Sequence, residues 1–400
     1  MNIRNSYTIL LLICFLATGC RDKIPEPLPD PRERILFTPQ ISVTTRSGEK
    51  DAFETGDEFG VMGYCLAYTI GTTNTIDYSS GTSYWNTKKS NCAPLVFDKQ
   101  RVRVTDIGCE YDGFNSAGTT SNNPKYWYSE GRGLDGNPNE NIGSNADDYR
   151  YTFVAYYPYE SWEINPSGTE PGPPVLTFTM PQDGTALDEE LVAADNVDAM
   201  LAAGYNITKS TGNVAFNFHH VLTALGFEIN NFSEYRLEIH SLKLRGSFFR
   251  KVSVDFNDNP VTFTFPQEYY KGSYVLFDSN IAGESIILDN TDQAAAVSTA
   301  DCNMLGGHIL LISGEGSYFG NGSGDEVVQV IIDYTFNGNR NTAYLTRPST
   351  FTPVPGVRYT AQLNFVGDAF VLQFVVDNSE IWEDGEMDDD NDSNDDVIFE

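Results

Sequence analysis

Apolar and polar residues alternate with period two through most of this chain, and that pattern leaves few folds open. Tyr151, Phe153, Ala155 and Tyr157 share one face of RYTFVAYYP, and Val214, Phe216 and Phe218 share one of VAFNF. Leu237 and Ile239 do so in LEI, and Val261, Phe263 and Phe265 alternate with threonines in VTFTF. Val328, Val330, Ile332 and Tyr334 alternate in VVQVIIDY. The longest case runs Val357, Tyr359, Ala361, Leu363, Phe365, breaks at Gly367-Asp368, and resumes with Phe370, Leu372, Phe374 and Val376. Successive strand side chains point to opposite faces, so each run predicts a strand, and the last predicts a hairpin with one buried face.

Composition agrees, since 25 Phe and 22 Tyr dominate an aromatic content of 13%, and aromatic residues favour strands. Val192 to Tyr205 (VAADNVDAMLAAGY) is the single segment that reads as a short helix. Without crossover helices a parallel α/β sheet has no means of closing. The expected fold is all-β, made of antiparallel sandwiches. A body of this length exceeds one sandwich and suits two domains. The boundary is expected near Phe256, giving residues 35–255 and 256–385. Gly113 to Asp148 and Gly314 to Asp325 are long polar loops, expected as solvent-facing insertions.

The start of the chain reads as an export signal. Arg4 supplies a positive region, Ile9 to Leu16 (ILLLICFL) an apolar one, and Leu16-Ala17-Thr18-Gly19-Cys20 a small-residue end. Eight apolar residues fall short of the ~20 that a helix needs to cross hydrocarbon. The expectation is therefore a lipoprotein signal over residues 1–19, with Cys20 as the lipidated mature N-terminus. Residues 20–34 follow as a spacer, whose four prolines between Arg21 and Arg34 favour extended backbone.

Charge excludes one partner class. The chain carries 25 basic and 56 acidic residues, a net −31, with ten acidic and no basic residues in Glu383 to Glu400. A surface without a basic patch cannot displace counterions from phosphate, so nucleic acid is not a partner. Residues 386–400 are expected as a solvated acidic tail. Asp388, Asp390 and Asp392 have the 1-3-5 spacing of a calcium loop, but Ser393 stands where its glycine belongs.

Motifs that carry chemistry are scarce. Cys65, Cys92, Cys109 and Cys302 contain no C-x-x-C pair, which argues against a zinc knuckle. One bridge among the first three and a fully reduced chain both remain open. His219 and His220 sit in a strand pattern and so face opposite ways, as structural histidines rather than joint ligands. His240 and His308 also lie in strand-like contexts. In Gly320-Asn321-Gly322-Ser323-Gly324 the serine is one place off a nucleophile elbow. No phosphate loop or dinucleotide fingerprint occurs. The chain is read as non-enzymatic, with no cofactor and no metal.

Several short motifs, in order, resemble Bacteroidales-type fimbrillins, the pilus-subunit lipoproteins. They are the lipobox, Thr45-Arg46, Phe53-Glu54-Thr55-Gly56-Asp57-Glu58-Phe59-Gly60-Val61, and the aromatic strand Tyr151 to Pro158. Val214 to Ile229 (VAFNFHHVLTALGFEI) resembles that family's F-x-H hairpin, followed by Leu242 to Gly246. Pro355-Gly356-Val357-Arg358-Tyr359 and Trp382-Glu383-Asp384-Gly385 resemble its closing hairpin and terminal Trp.

The resemblance implies two transthyretin-like β-sandwiches and assembly with other fimbrillin-type subunits by strand exchange. It implies an outer-membrane lipid anchor, surface exposure, and a place in the fimbrium once polymerised, with a host or bacterial surface ligand. In that family an Arg-specific protease removes the first strand of a polymerising subunit. Here Ile35 to Thr45 is strand-like and precedes Arg46, which makes Arg46 the candidate cleavage site. Ile35, Phe37, Ile41 and Val43 are the first-strand residues whose pockets a donor strand would refill. The acidic tail suits an accessory or tip subunit better than a stalk subunit. The alternative reading is a surface glycan-binding lipoprotein, with Trp85, Trp127 and Trp162 as stacking platforms.

Overall fold

In the computed structural model the described residues are 34–41, 52–65, 85–86, 89–94, 96–111, 125–127, 150–165, 170–208, 212–258, 260–289, 308–314, 320, 326–346, 351 and 353–376. Cys20, Val43, Arg46, Cys302 and the acidic tail lie outside them, as do the two long loops for the most part.

Strands dominate. The first ten are β1 (Phe37–Ile41), β2 (Glu58–Cys65), β3 (Phe97–Thr105), β4 (Gly108–Glu110), β5 (Tyr151–Tyr157), β6 (Trp162–Asn165), β7 (Val175–Thr179), β8 (Glu190–Leu191), β9 (Met200–Ile207) and β10 (Val214–His220). There follow β11 (Thr223–Asn231), β12 (Leu237–Phe249), β13 (Lys251–Asp255), β14 (Thr262–Thr264), β15 (Tyr269–Asp278) and β16 (Ile286–Leu288). The last are β17 (Ile309–Leu311), β18 (Gln329–Phe336), β19 (Asn339–Thr346), β20 (Arg358–Val366) and β21 (Ala369–Val376).

They form four sheets: β1-β10-β9-β5-β2-β3-β4, β14-β13-β7-β6, β17-β11-β20-β21, and β19-β18-β12-β15-β8, with β16 also on β12. The all-β sandwich expectation holds. Three pairs are nonetheless parallel: β1 with β10, β11 with β20, and β8 with β15. Their members are far apart in sequence, where no tight turn imposes an antiparallel return. Phe256 lies buried just after β13, in the connection to β14, which pairs with β13.

The sheet containing β5 separates two apolar clusters. Tyr151, Phe153 and Ala155 point into one, with Phe59, Phe216 and Phe218. Val154 and Tyr156 point into the other, which continues through Leu242 and Leu244 to Leu363 and Phe365. A one-faced reading of β5 therefore undercounts its burial, because a central strand is covered on both sides.

The β20–β21 hairpin matches its sequence pattern. Phe365 lies across from Phe370 and Leu363 from Leu372, and Gly367 turns the chain at φ 68°. The short helix expected over Val192 to Tyr205 is corrected. Ala193–Asp195 makes one 3-10 turn, and Met200–Ile207 is β9, hydrogen-bonded between β5 and β10. Met200 to Ala203 are all buried, and a short apolar run covered on both faces has no periodicity that separates helix from strand. In β12 the register against β18 shifts between Ile239 and Ser241. This re-phases the strand, so that Leu237, Ile239, Leu242 and Leu244 are all buried despite a three-residue step.

Candidate functional site at the first strand

β1 is an edge strand that behaves like core. Its residues pair with β10 in parallel register, Phe37 with Val214 through Ile41 with Phe218. Just before it, the Val214 N–H donates to the Leu36 carbonyl at 2.8 Å, and the Ile35 N–H donates to the Lys125 carbonyl at 3.0 Å. The chain is thus held from both sides at its start. The Tyr111 hydroxyl lies 3.0 Å from the carbonyl oxygens of both Ile35 and Lys125, and accepts from the Lys125 N–H at 3.1 Å. The Arg34 guanidinium stands 5.5 Å from the centre of the Tyr111 ring, within cation–π range.

Alternation then selects what goes inside. Ile35 and Phe37 are buried, Thr38 and Gln40 face outward, and Ile41 is half-buried against the same cluster. Phe37 is the centre of that set, with the rings of Phe97, Tyr111, Phe153 and Phe216 at 5.3–5.9 Å. The structure brings together Ile35, Phe37 and Ile41 from the first-strand group; Val43 and Arg46 fall outside the described residues. Alongside β1 a cavity of about 580 Å³ opens between that strand, Phe53 and the β3–β4 turn at Val104, Ile107 and Cys109.

The segment Phe53 to Val61 supports this edge through identifiable contacts. Gly56 adopts φ 101°, a conformation with little penalty only for glycine. The Asp57 carboxylate accepts from the Glu54 N–H at 2.6 Å. A side chain on Gly60 would collide with the Tyr156 ring of the neighbouring strand. Glu58 accepts from Arg101 at 2.8 Å and from Arg103 at 2.6 Å. Phe53 and Phe59 both pack on Phe218.

The tryptophans are corrected as a sugar platform. Trp85, Trp127 and Trp162 are 3%, 3% and 8% exposed. Their rings lie 5.0 Å from Tyr64, 5.0 Å from Tyr151 and 5.4 Å from Phe178. The Trp162 indole N–H donates to the Tyr157 carbonyl at 2.9 Å. Rings buried in this way anchor the core and present no face to a glycan.

The histidines are buried or half-buried. His220 is buried, with its Nδ1 2.8 Å from the Asp198 carboxylate, while His219 is half-buried on the other face. His240 has Ser285 at 3.0 Å from one ring nitrogen and Thr335 at 2.7 Å from the other, and half-buried His308 precedes β17. Among the described residues no group of His, Cys, Asp and Glu is placed to hold a metal ion. Cys65, Cys92 and Cys109 are not bridged to one another. Tyr111, Lys125 and Asp198 are the site and core partners that sequence reading missed.

The first strand is thus an edge in hydrogen bonding and a core element in packing. The chain belongs to the fimbrillin-like family, whose profile matches residues 104–381. It is accordingly a pilus-type subunit of the cell surface. No match is found among curated proteins.

Solved structures similar to it include a protein assigned to cell adhesion from Bacteroides uniformis, at 14% identity and a TM-score of 0.43, with 87% of this chain and 99% of that one covered. They also include the tip fimbrial protein Mfa3 from Porphyromonas gingivalis with C-terminal truncation, at 8% identity and a TM-score of 0.32, covering 86% and 99%. The fimbrial anchor protein Mfa2 from the same organism aligns at 8% identity and a TM-score of 0.31, covering 86% and 97%.

Proposed function

We propose that this chain is an accessory or tip subunit of a surface pilus, non-catalytic, that joins other fimbrillin-type subunits by strand exchange at β1 and serves in adhesion. The observation that carries the reading is the burial of Ile35 and Phe37 from an edge strand. An edge that loses such a strand exposes unpaired backbone and empty apolar pockets, and another extended chain restores both. Each refilled large apolar side chain is worth roughly 1.5–3 kcal/mol before the cost of association. Cys20 is the proposed lipid anchor in the outer membrane. The ten acidic residues of Glu383 to Glu400 suit a subunit whose C-terminus does not enter a partner's apolar groove, hence accessory or tip.

Two variants test it. Cys20→Ala is expected to release the protein from the membrane fraction; unchanged membrane association removes the anchor. Shed material from cells with an active Arg-specific protease is expected to begin at Ser47, and Arg46→Ala to leave a full-length, lipid-anchored monomer. Finding only Cys20-initiated chains in the parent strain sinks strand exchange at β1 and leaves an uncut surface lipoprotein.

A further inference from the structure

The four sheets have eight edge strands, and among the described residues one stands unprotected. β4, β8, β14 and β17 are two or three residues long, and β1 contains Pro39. β6 carries Glu163, and β19 carries Arg340 among asparagines. Short length, proline and charge are the usual means by which edges avoid pairing. β21 has none of them. Ala369–Val376 reads AFVLQFVV, eight residues without charge, proline or glycine, and it pairs with β20 without a bulge.

Its two faces are both suited to continuation. Phe370 and Leu372 point into the core, while Val371 and Gln373 are exposed on the outside. Antiparallel pairing keeps inward residues opposite inward ones when the register is centred on a residue. Centred on Gln373, a second β21 would place Val371 opposite Val375, Leu372 opposite Phe374 and Phe370 opposite Val376. Gln373 would meet its own copy, extending a row begun by Gln362, which lies across from Gln373 within the chain. Opposed side chains of like kind are the stabilising unit of a sheet.

Charge selects the direction, and the sequence of β21 selects the occupant. β21 contains nothing to attract a basic or an acidic partner, whereas its sequence is complementary to itself. The acidic stretch Glu383 to Glu400 follows β21. Antiparallel copies send their two stretches to opposite ends, while parallel copies would bring them together. We propose that two copies of this chain pair edge to edge, antiparallel, through β21 across a two-fold axis at Gln373. The contact uses a different sheet from β1 and does not depend on strand exchange there.

The test uses the full chain with Cys14, Cys20, Cys109 and Cys302 changed to serine, which also keeps it free of lipid. Gln373→Cys brings its two thiols across the axis, with Cα atoms about 4.5–5.5 Å apart, within disulfide reach. Gln362→Cys keeps them about 14 Å apart, three strand spacings. Mild oxidation is expected to cross-link the first and not the second. In sedimentation velocity the dimer is expected to grow with added salt, because each copy carries −31 and screening weakens their repulsion. Val371→Lys, on an exposed site that leaves the fold intact, is expected to abolish the dimer peak. A monomer at every salt concentration overturns the proposal, as does equal cross-linking of the two cysteine variants. So does a dimer that Val371→Lys leaves intact, or one that salt dissolves, the signature of a basic partner surface.

Discussion

The ring of Phe37 stacks on that of Phe216, centroids 5.3 Å apart and planes at 21°. The two residues lie on neighbouring parallel strands, two places out of register, since Phe37 itself pairs with Val214. One ring thus ties an edge strand to the interior, where Phe97 and Phe153 close around it. That is why the first strand, paired with another strand along one side only, is expensive to leave empty.

Phe37→Ala is expected to destabilise the chain by on the order of 3–5 kcal/mol, the range for removing a buried ring that cannot be refilled by collapse. Gln40→Ala, on the exposed face of the same strand, should stay within about 0.5 kcal/mol of the parent. Thermal unfolding of both variants checks the pair. Equal midpoints would show that the strand contributes backbone pairing alone.

Tyr111→Phe removes a single hydroxyl that serves Ile35 and both backbone groups of Lys125. The expected cost is about 1–3 kcal/mol, because buried backbone groups are left without that partner. The effect should be local. Hydrogen exchange at residues 34–37 is expected to accelerate, while β11 and β20 keep the parent rate. Uniform acceleration would make Tyr111 a general core residue and not a clasp.

Local pattern carried much of this fold. The β20–β21 hairpin was legible because alternation and a Gly-Asp turn specify it within twenty residues. β9 was not, because its apolar run is buried on both faces and helix and strand then look alike. The site divided in the same way. Ile35, Phe37 and Ile41 follow from alternation in one strand, but Tyr111 is 76 residues from Ile35. Asp198 likewise reaches His220 from another strand's approach. Residue type also misleads where depth matters: a tryptophan's flat ring suits a sugar, and three of them here are buried against other aromatic rings.

Those tryptophans give a direct optical check. In a Trp382→Phe chain only Trp85, Trp127 and Trp162 remain, all buried. Their emission is expected to be blue-shifted and resistant to acrylamide until the protein unfolds. Addition of a glycan should leave it unchanged. Strong quenching in the native state, or a shift with a sugar ligand, would return these rings to the surface and revive a carbohydrate-binding role.

Cys109 lines the cavity beside β1. Burial pushes its thiol up to about 11, from an ordinary 9.0. The reactive species is the thiolate, and at pH 8 the folded chain therefore holds roughly a hundredth of the Cys109 thiolate that the unfolded chain does. Iodoacetamide at pH 8 is expected to label native Cys109 slowly, with the rate climbing through pH 10 to 11, and to label it at once after denaturation. The linkage has a definite sign. Between pH 9 and 11 the folded chain keeps a proton that the unfolded chain has released, so this group's contribution to stability falls as pH rises through that window. Mass spectrometry of the Cys109 peptide against pH measures the profile. Labelling at pH 8 as fast in the native protein as in denaturant would mean that the cavity beside β1 is open to water at Cys109 and that the thiol is not desolvated.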